Sequence, residues 1–514
     1  MNTGIFSIKA NDFGPLNHLD IDIKPLTIFI GPNNSGKSYT AMLIYSILKA
    51  NQNFLGYIVS PFYRSYRVPT RAMLHYNRFI QMRLQEGTED FYKVETGKLE
   101  NKIISEWMDT VSKEIEDKKK DIIEFSAFPN DLKKLFYEIL IGDFKDRFEK
   151  IISTTFASTL KELERFGSKK AINFYFKSKM LSYSFRLYKG ELFLESFFCD
   201  DIEKLIFVIE RGEKNNISTK KNKIFICVKD GKIDKKNLLN NILGILFEKW
   251  GKAMNNFLEA TDINYLPAAR SGLLQGHKVL AASFVEMASM AGIKPMNIPA
   301  LSGVVSDFIV KLFQYEMRRR QGDFDDIATF IEKEMINGSI RVDYDKHSYP
   351  EISYVVSNSR IPLHKTSSMV SEIAPFVLYL RHIIQKNSFL IIEEPEAHLH
   401  PDIQRIFARV IARLVRKGVK VIITTHSDIL LQQLNNQIFM SNLNENDLIE
   451  SGYSREDCLV SSEVGAYLFR YSDKIDGAVS EKIEIDENGI SDEEFAIIID
   501  KLYNQTANLR QKIK

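Results

Sequence analysis

The stretch "LTIFI", residues 26–30, runs straight into "GPNNSGKS", residues 31–38, and then into "YTAMLIYSILKA". The first piece reads as a buried strand, and Met42, Leu43, Ile44, Ile47 and Leu48 mark the apolar face of a helix. A glycine loop between a strand and a helix is the setting in which this pattern cradles phosphate. Gly31 and Gly36 let the backbone curl until its N–H groups face an anion, and the helix dipole adds to the attraction. Lys37 then supplies a cation for the β/γ phosphates of ATP, and the Ser38 hydroxyl is a Mg2+ ligand. Asn33, Asn34, Ser35 and Tyr39 complete the phosphate-binding candidates. From average composition the pattern arises by chance in about two chains per hundred of this length. The alternative, a glycine turn before a helix with a solvated lysine, does not call for a strand immediately upstream.

A nucleotide loop needs acids, and "SFLIIEEPEAHLHP", residues 388–401, brings them. Phe389 to Ile392 reads as a buried strand that ends in Glu393 and Glu394. The first acid supports Mg2+, and the second polarises the attacking water. Pro395 ends the strand, and "PDIQRIFARVIARLVRKG" reads as an amphipathic helix closed by Gly418. A second buried strand, "VKVII", leads into Thr424, Thr425 and His426, which places His426 to touch the γ-phosphate. A transition-metal cluster around His398 and His400 is the rival reading of the same residues. Pro395 and the helix after it oppose that rival, because they break the single strand face it needs.

The whole chain has 514 residues, 44% of them hydrophobic and 26% charged, with a net charge of +2. That is the balance of an ordinary globular protein, and it advertises no general field for nucleic acid. Cys199, Cys227 and Cys458 are scattered, which opposes a disulfide framework or a zinc ribbon. The first residues lack a signal-peptide pattern and no long apolar run follows, so a cytoplasmic protein without a membrane partner is expected. The clusters Arg318–Arg320 and Lys220, Lys221 and Lys223 read first as solvated faces, with phosphate-backbone contact as the alternative.

Taken together, the loop, the strand with "EEPEAHLHP" and the strand with "THS" resemble the ABC-class ATPases of the RecF, SMC and OLD type. The match is strongest to the stand-alone ATPases of bacterial anti-phage systems such as Septu, PARIS and retron-associated modules. "FSIKANDFGPLNHLDIDI" before the loop, "INYLPAARSG" at 263–272 and "IPLHKTSSMVSEIAPFVLYLR" at 361–381 are also similar to family segments. The resemblance implies an α/β fold: an ABC-type P-loop ATPase head with a mixed sheet, interrupted by a compact α+β insertion. It implies that Ser367 and Ser368 form the signature, which meets the γ-phosphate bound to another subunit of a head-to-tail dimer or higher oligomer. Met369 stands where the family has glycine, and Glu393 where ABC enzymes in general have aspartate. Without the family, "TSSMVSE" is a helix cap. Gln275 is the candidate for the Mg2+-sensing glutamine, with Gln81 and Gln85 behind it, and Arg270 is a candidate phosphate contact. Each has an ordinary surface alternative.

These anchors divide the chain into 1–99 and 262–440 as the two parts of the ATPase core, 100–261 as a helical and β insertion, and 441–514 as a C-terminal hairpin and helix. Residues 100–166 read as helical, 171–228 as strands, 211–223 as a mobile loop and 236–260 as helical again. OLD-type relatives carry a Toprim nuclease that needs Asp-x-Asp, and no such triplet follows His426, so this chain is not expected to cut nucleic acid. The expected function is a Mg2+-dependent ATPase that acts as the sensor or regulatory subunit of a defence complex and controls a separate effector, a nuclease. The alternatives are a RecF-like DNA repair ATPase and a slow-turnover scaffold that cages a partner. DNA is a partner that only the resemblance implies.

Overall fold

Every residue of β3 (Leu26–Ile30) is buried, because the strand lies inside a parallel stack. In the computed structural model the described residues are 4–52, 120–165, 170–212, 216–220, 222–229, 262–276, 301–313, 322–344, 350–472, 475–486, 489–491 and 504–510, with some positions within 106–113 and 245–250. On one side β3 pairs with β16 (Lys420–Thr425), Leu26 opposite Val421, and on the other with β17 (Val464–Ser472), Leu26 opposite Val464. Two more parallel strands follow β16 outward: β15 (Phe389–Glu393) and β11 (Ile263–Leu266). All five strands therefore end along one crevice, the usual place for a ligand in an open α/β sheet.

Beyond β17 the sheet turns mixed. β18 (Ile475–Ile483) is antiparallel to β17 and parallel to β2 (Leu16–Ile23), and β2 forms a hairpin with β1 (Phe6–Phe13). Next to β1 come β5 (Ile172–Ser178), β6 (Leu181–Tyr188) and β7 (Glu191–Cys199), which completes an 11-stranded sheet. The molecule is thus a mixed α/β fold on one large mixed sheet.

That sheet separates two apolar cores, and the period-2 geometry of its strands decides which side chain goes where. Leu26, Ile28 and Ile30 join one core and Phe29 the other. Leu390 and Ile392 likewise part from Phe389 and Ile391. The first core is closed by α4 (Asp325–Glu334), α5 (Ser368–His382), α6 (Pro401–Arg416) and α7 (Asp428–Met440). The second packs α1 (Lys37–Asn51) and α2 (Asn130–Phe156) against β1, β2 and β5 to β7, with α3 (Gly303–Phe313) at its edge. Each fully buried side chain of this size contributes about 1.5–3 kcal/mol.

Several expectations change. β17, within the C-terminal part that begins at 441, is the inner neighbour of β3 in the large sheet. The strands of 172–199 are not a separate body, because β1 leaves an edge that β5 pairs with from Phe6 to Asn11. The supposed loop 211–223 contains β9 (Asn216–Lys220), antiparallel to β10 (Lys223–Lys229); Ile217 and Thr219 suit a strand despite the flanking charges. Within the stretch read as helical, β4 (Lys120–Glu124) pairs with β8 (Ile206–Gly212). Most of 236–260, Arg318–Arg320, Gln81 and Gln85 lie outside the described residues. Among the described residues no helix is long and apolar enough to cross a membrane.

Candidate functional site

The phosphate loop leaves β3 at Gly31 and enters α1 at Lys37. Gly31 has φ +145°, and a Cβ there would meet the Phe469 carbonyl oxygen of β17 at 2.1 Å. Gly36 has φ +92°, and its Cβ would meet Leu16 at 2.6 Å. Both glycines are therefore required by shape as well as by conformation. Ser35 Oγ pins the loop by donating to the Pro32 carbonyl at 2.8 Å, and Tyr471 Oη donates to the Asn34 carbonyl at 2.7 Å. The first helical bond runs from Thr40 N–H to the Gly36 carbonyl at 2.9 Å, so the N–H groups of Lys37, Ser38 and Tyr39 have no acceptor within the helix. Asn33, Asn34 and the Ser38 side chain are exposed at the loop's outer side. The Tyr39 ring packs instead against Phe13 and Phe156, which leaves only its backbone for a phosphate.

Lys37 is 5% exposed, and its ammonium donates to the carbonyls of Gly31 at 2.9 Å and Pro32 at 2.8 Å. Burial pushes this lysine down to about 8, against the pull of the Glu394 and Glu396 carboxylates.

The acids come from the end of β15. The buried Glu393 carboxylate accepts from Ala268 N–H at 3.3 Å, beside the buried Tyr265 phenol. That phenol is held protonated, well above its ordinary range, by burial and then by the Glu393 charge. Glu394 adopts φ +42°, a left-handed conformation that costs a non-glycine residue about 1–3 kcal/mol. Its N–H reaches the Thr424 carbonyl at 3.0 Å and Thr424 Oγ1 at 3.2 Å, so β16 holds the turn from one side. The turn delivers Glu394 Oε1 to 3.4 Å from His426 Nε2. His398 is exposed, and His400 Nδ1 accepts from Asp402 N–H at 3.4 Å to cap α6, so the two imidazoles serve separate places.

Arg270, the candidate phosphate contact, is bonded to protein partners. Its guanidinium is buried and donates to Glu372 Oε2 at 3.1 Å and to the carbonyls of Pro267, Glu393 and Glu394 at 3.2, 2.7 and 3.2 Å. It holds the acid-bearing turn from the side opposite Thr424 and ties it to Glu372 on α5. Gln275 Nε2 donates to Ser371 Oγ at 3.4 Å, at the start of the same helix. Ser367 caps α5 by accepting from Val370 N–H at 3.3 Å, and both Ser367 and Ser368 are exposed. The cap is formed, and the exposed helix start remains free to meet another molecule.

Lys37, Glu394 and His426 thus converge from the ends of three adjacent parallel strands, as a P-loop ATPase requires. Residues 4–431 match the family model of the AAA ATPase domain. The chain belongs to this family. As an AAA-domain ATPase it has no match among curated proteins. Among solved structures the ATPase is similar to an SMC head bound to the C-terminal winged-helix domain of ScpA, at 9% identity over 93% of this chain and 98% of that one, with a TM-score of 0.36. The Pyrococcus furiosus SMC head with an extended coiled coil, bound to the C-terminal domain of ScpA, shares 10% identity over 97% and 98% of the two chains, with a TM-score of 0.37. The SMC head from Thermotoga maritima shares 10% over 93% and 98%, with a TM-score of 0.33.

Sequence reasoning did not find Phe469 and Tyr471, and it named Thr424 and Arg270 without the hold they have on the acid-bearing turn. Phe469 and Tyr471 wall the loop, and Thr424 and Arg270 grip the Glu394 turn. The apolar run "VGAYLF" was the available signal for a buried strand at β17.

Two outcomes follow from this geometry. Gly31→Ala places a side chain against backbone that cannot retreat, so stability falls by at least about 1–3 kcal/mol in chemical denaturation and ATP affinity falls with it. Burial pushes Lys37 down to about 8, so if its ammonium is what holds phosphate, ATP affinity should fall as pH rises from about 7 to 9. Calorimetry in buffers of different ionisation heat should show proton uptake on ATP binding near pH 9 and little near pH 7. A buffer-independent enthalpy at the higher pH would contradict this.

Proposed function

We propose that this ATPase hydrolyses Mg2+-bound ATP between two copies of the chain and serves as the sensor or regulatory subunit of a bacterial anti-phage complex, controlling a separate nuclease effector. The observation that carries the catalytic part is the convergence of Lys37, Glu394 and His426. The defence role is supported by the resemblance of the motif set to the stand-alone defence ATPases.

In this reading the N–H groups from Gly31 to Tyr39 and the Lys37 ammonium bind the β/γ phosphates. The Ser38 hydroxyl and the Glu393 carboxylate are hard oxygen donors of the kind Mg2+ takes, and the ion, when bound, would neutralise charge on the transferring phosphoryl group. Glu394 orients the attacking water and accepts its proton, and His426 stands between that carboxylate and the γ-phosphate. Ser367 and Ser368 contribute in trans. An intact Glu394–His426 pair favours turnover over a purely structural use of ATP.

Glu394→Gln should bind ATP as tightly as the parent chain while turnover falls by about 100-fold or more, measured by calorimetry and steady-state phosphate release. Glu393→Gln should instead shift the Mg2+ dependence.

The composite arrangement has its own test. Lys37→Ala and Ser368→Arg should each be inactive alone. A mixed dimer places both lesions at one ATP site and leaves the other intact, so mixing should restore partial turnover. No recovery at any ratio, with subunit exchange verified, would leave Ser367 and Ser368 as helix caps only.

A further inference from the structure

Glu396 has no part in the roles described so far. It sits in the turn between β15 and α6, and a single oxygen does most of its work. Oε1 accepts from Thr425 Oγ1–H at 2.8 Å and from His426 N–H at 2.7 Å. Thr425 Oγ1 in turn accepts from Ser427 N–H at 3.0 Å, and Ser427 Oγ accepts from Leu430 N–H at 3.1 Å to open α7. One carboxylate oxygen therefore fixes the passage from β16 into α7, and His426 is the residue in the middle of it. The imidazole emerging from that passage is the one 3.4 Å from Glu394.

The other oxygen, Oε2, is closed off from solvent and has no hydrogen-bond partner. Buried acceptors are nearly always satisfied, so a bare one next to a reaction centre calls for an explanation. Lys37 and Arg270 both feel the Glu396 charge, which places the carboxylate inside the electropositive side of the site. Two roles fit such a group. It is either a reacting carboxylate that needs its free oxygen, or a clamp that works through Oε1 alone. Both bonds to the histidine turn fall on Oε1, and this favours the clamp.

We propose that Glu396 is the positioning residue for His426: its Oε1 locks residues 425–427 so that the imidazole meets Glu394, and it acts on the hydrolysis step through that histidine. The inference rests on the roles proposed above for Glu394 and His426.

An amide at this position keeps a carbonyl oxygen in the place of Oε1 and breaks no hydrogen bond at Oε2, although it removes the charge that Lys37 and Arg270 feel. Glu396→Gln should therefore keep kcat within about 3-fold of the parent chain, as rescue by a conservative variant demands. Glu396→Ala removes both bonds, and kcat should fall by about 10- to 100-fold, the range a misplaced group costs, while KM and ATP affinity stay within about 3-fold. In a His426→Ala background the same Glu396→Ala change should cost less than about 2-fold more, because residues acting as a unit are not additive. Thr425→Val removes one of the two bonds on Oε1, together with the Ser427 N–H bond to Thr425 Oγ1, with little change in volume. It serves as the second variant if Glu396→Ala does not fold, and its kcat should fall between those of the parent and His426→Ala.

A Gln variant as slow as the Ala variant would overturn the proposal in favour of a reacting carboxylate. Multiplying losses in the double variant, or parental kcat in Glu396→Ala, would overturn it as well. Parental turnover in His426→Ala would instead strike the underlying reading of the site, so the two failures are told apart by that single variant.

Discussion

The site depends on β3 having a parallel neighbour on each side. With β16 on one flank, the Thr424–Ser427 passage stands beside the loop and holds both the Glu394 turn and His426. With β17 on the other, the Phe469 carbonyl comes so close that only glycine can occupy position 31. The loop is shaped by backbone on both sides rather than by its own residues alone. Its conformation is therefore set before any phosphate arrives, and preorganisation of this kind is what makes backbone N–H groups effective against charge.

A second constraint is electrostatic. Burying an ammonium is costly, and the protein compensates Lys37 with the Gly31 and Pro32 carbonyls and with two nearby carboxylates. Arg270 is buried more deeply and is compensated more completely, by Glu372 and by three carbonyls. The difference separates their uses. Lys37 is held by neutral carbonyl acceptors, whereas Arg270 commits four of its five N–H donors to Glu372 and to main-chain carbonyls. A buried ion pair of this type fixes geometry more than it adds stability, and its geometry here is the backbone of both acids.

What the sequence made legible was local. The glycine loop, the acid-ended strand, the strand leading to His426 and the Ser367 cap each announce themselves within about ten residues through periodicity and punctuation. What it hid was distant pairing. "VGAYLFRYS" is apolar enough to be a buried strand, yet nothing in it says that its partner is Leu26–Ile30. Arg270 looked available because its partners, Glu372 and the 393–394 carbonyls, lie more than a hundred positions away or on the main chain, where no side-chain pattern records them. The polar run at 211–223 concealed β9 because an edge strand tolerates charge on its open side.

The placement of β17 also bears on how the molecule is made. Leu26–Ile30 leaves the ribosome early, but the strands that flank it span 420–425 and 464–472. Long-range pairings of this kind are slow to form, because the closure entropy of the intervening chain comes before any contact is gained. Until residues 420–425 and 464–472 have been made, the nucleotide loop lacks both of its walls. Nucleotide binding is a property that the loop acquires only after 464–472 has been made, so ATP reports on completed pairing of β3 as well as on the loop itself.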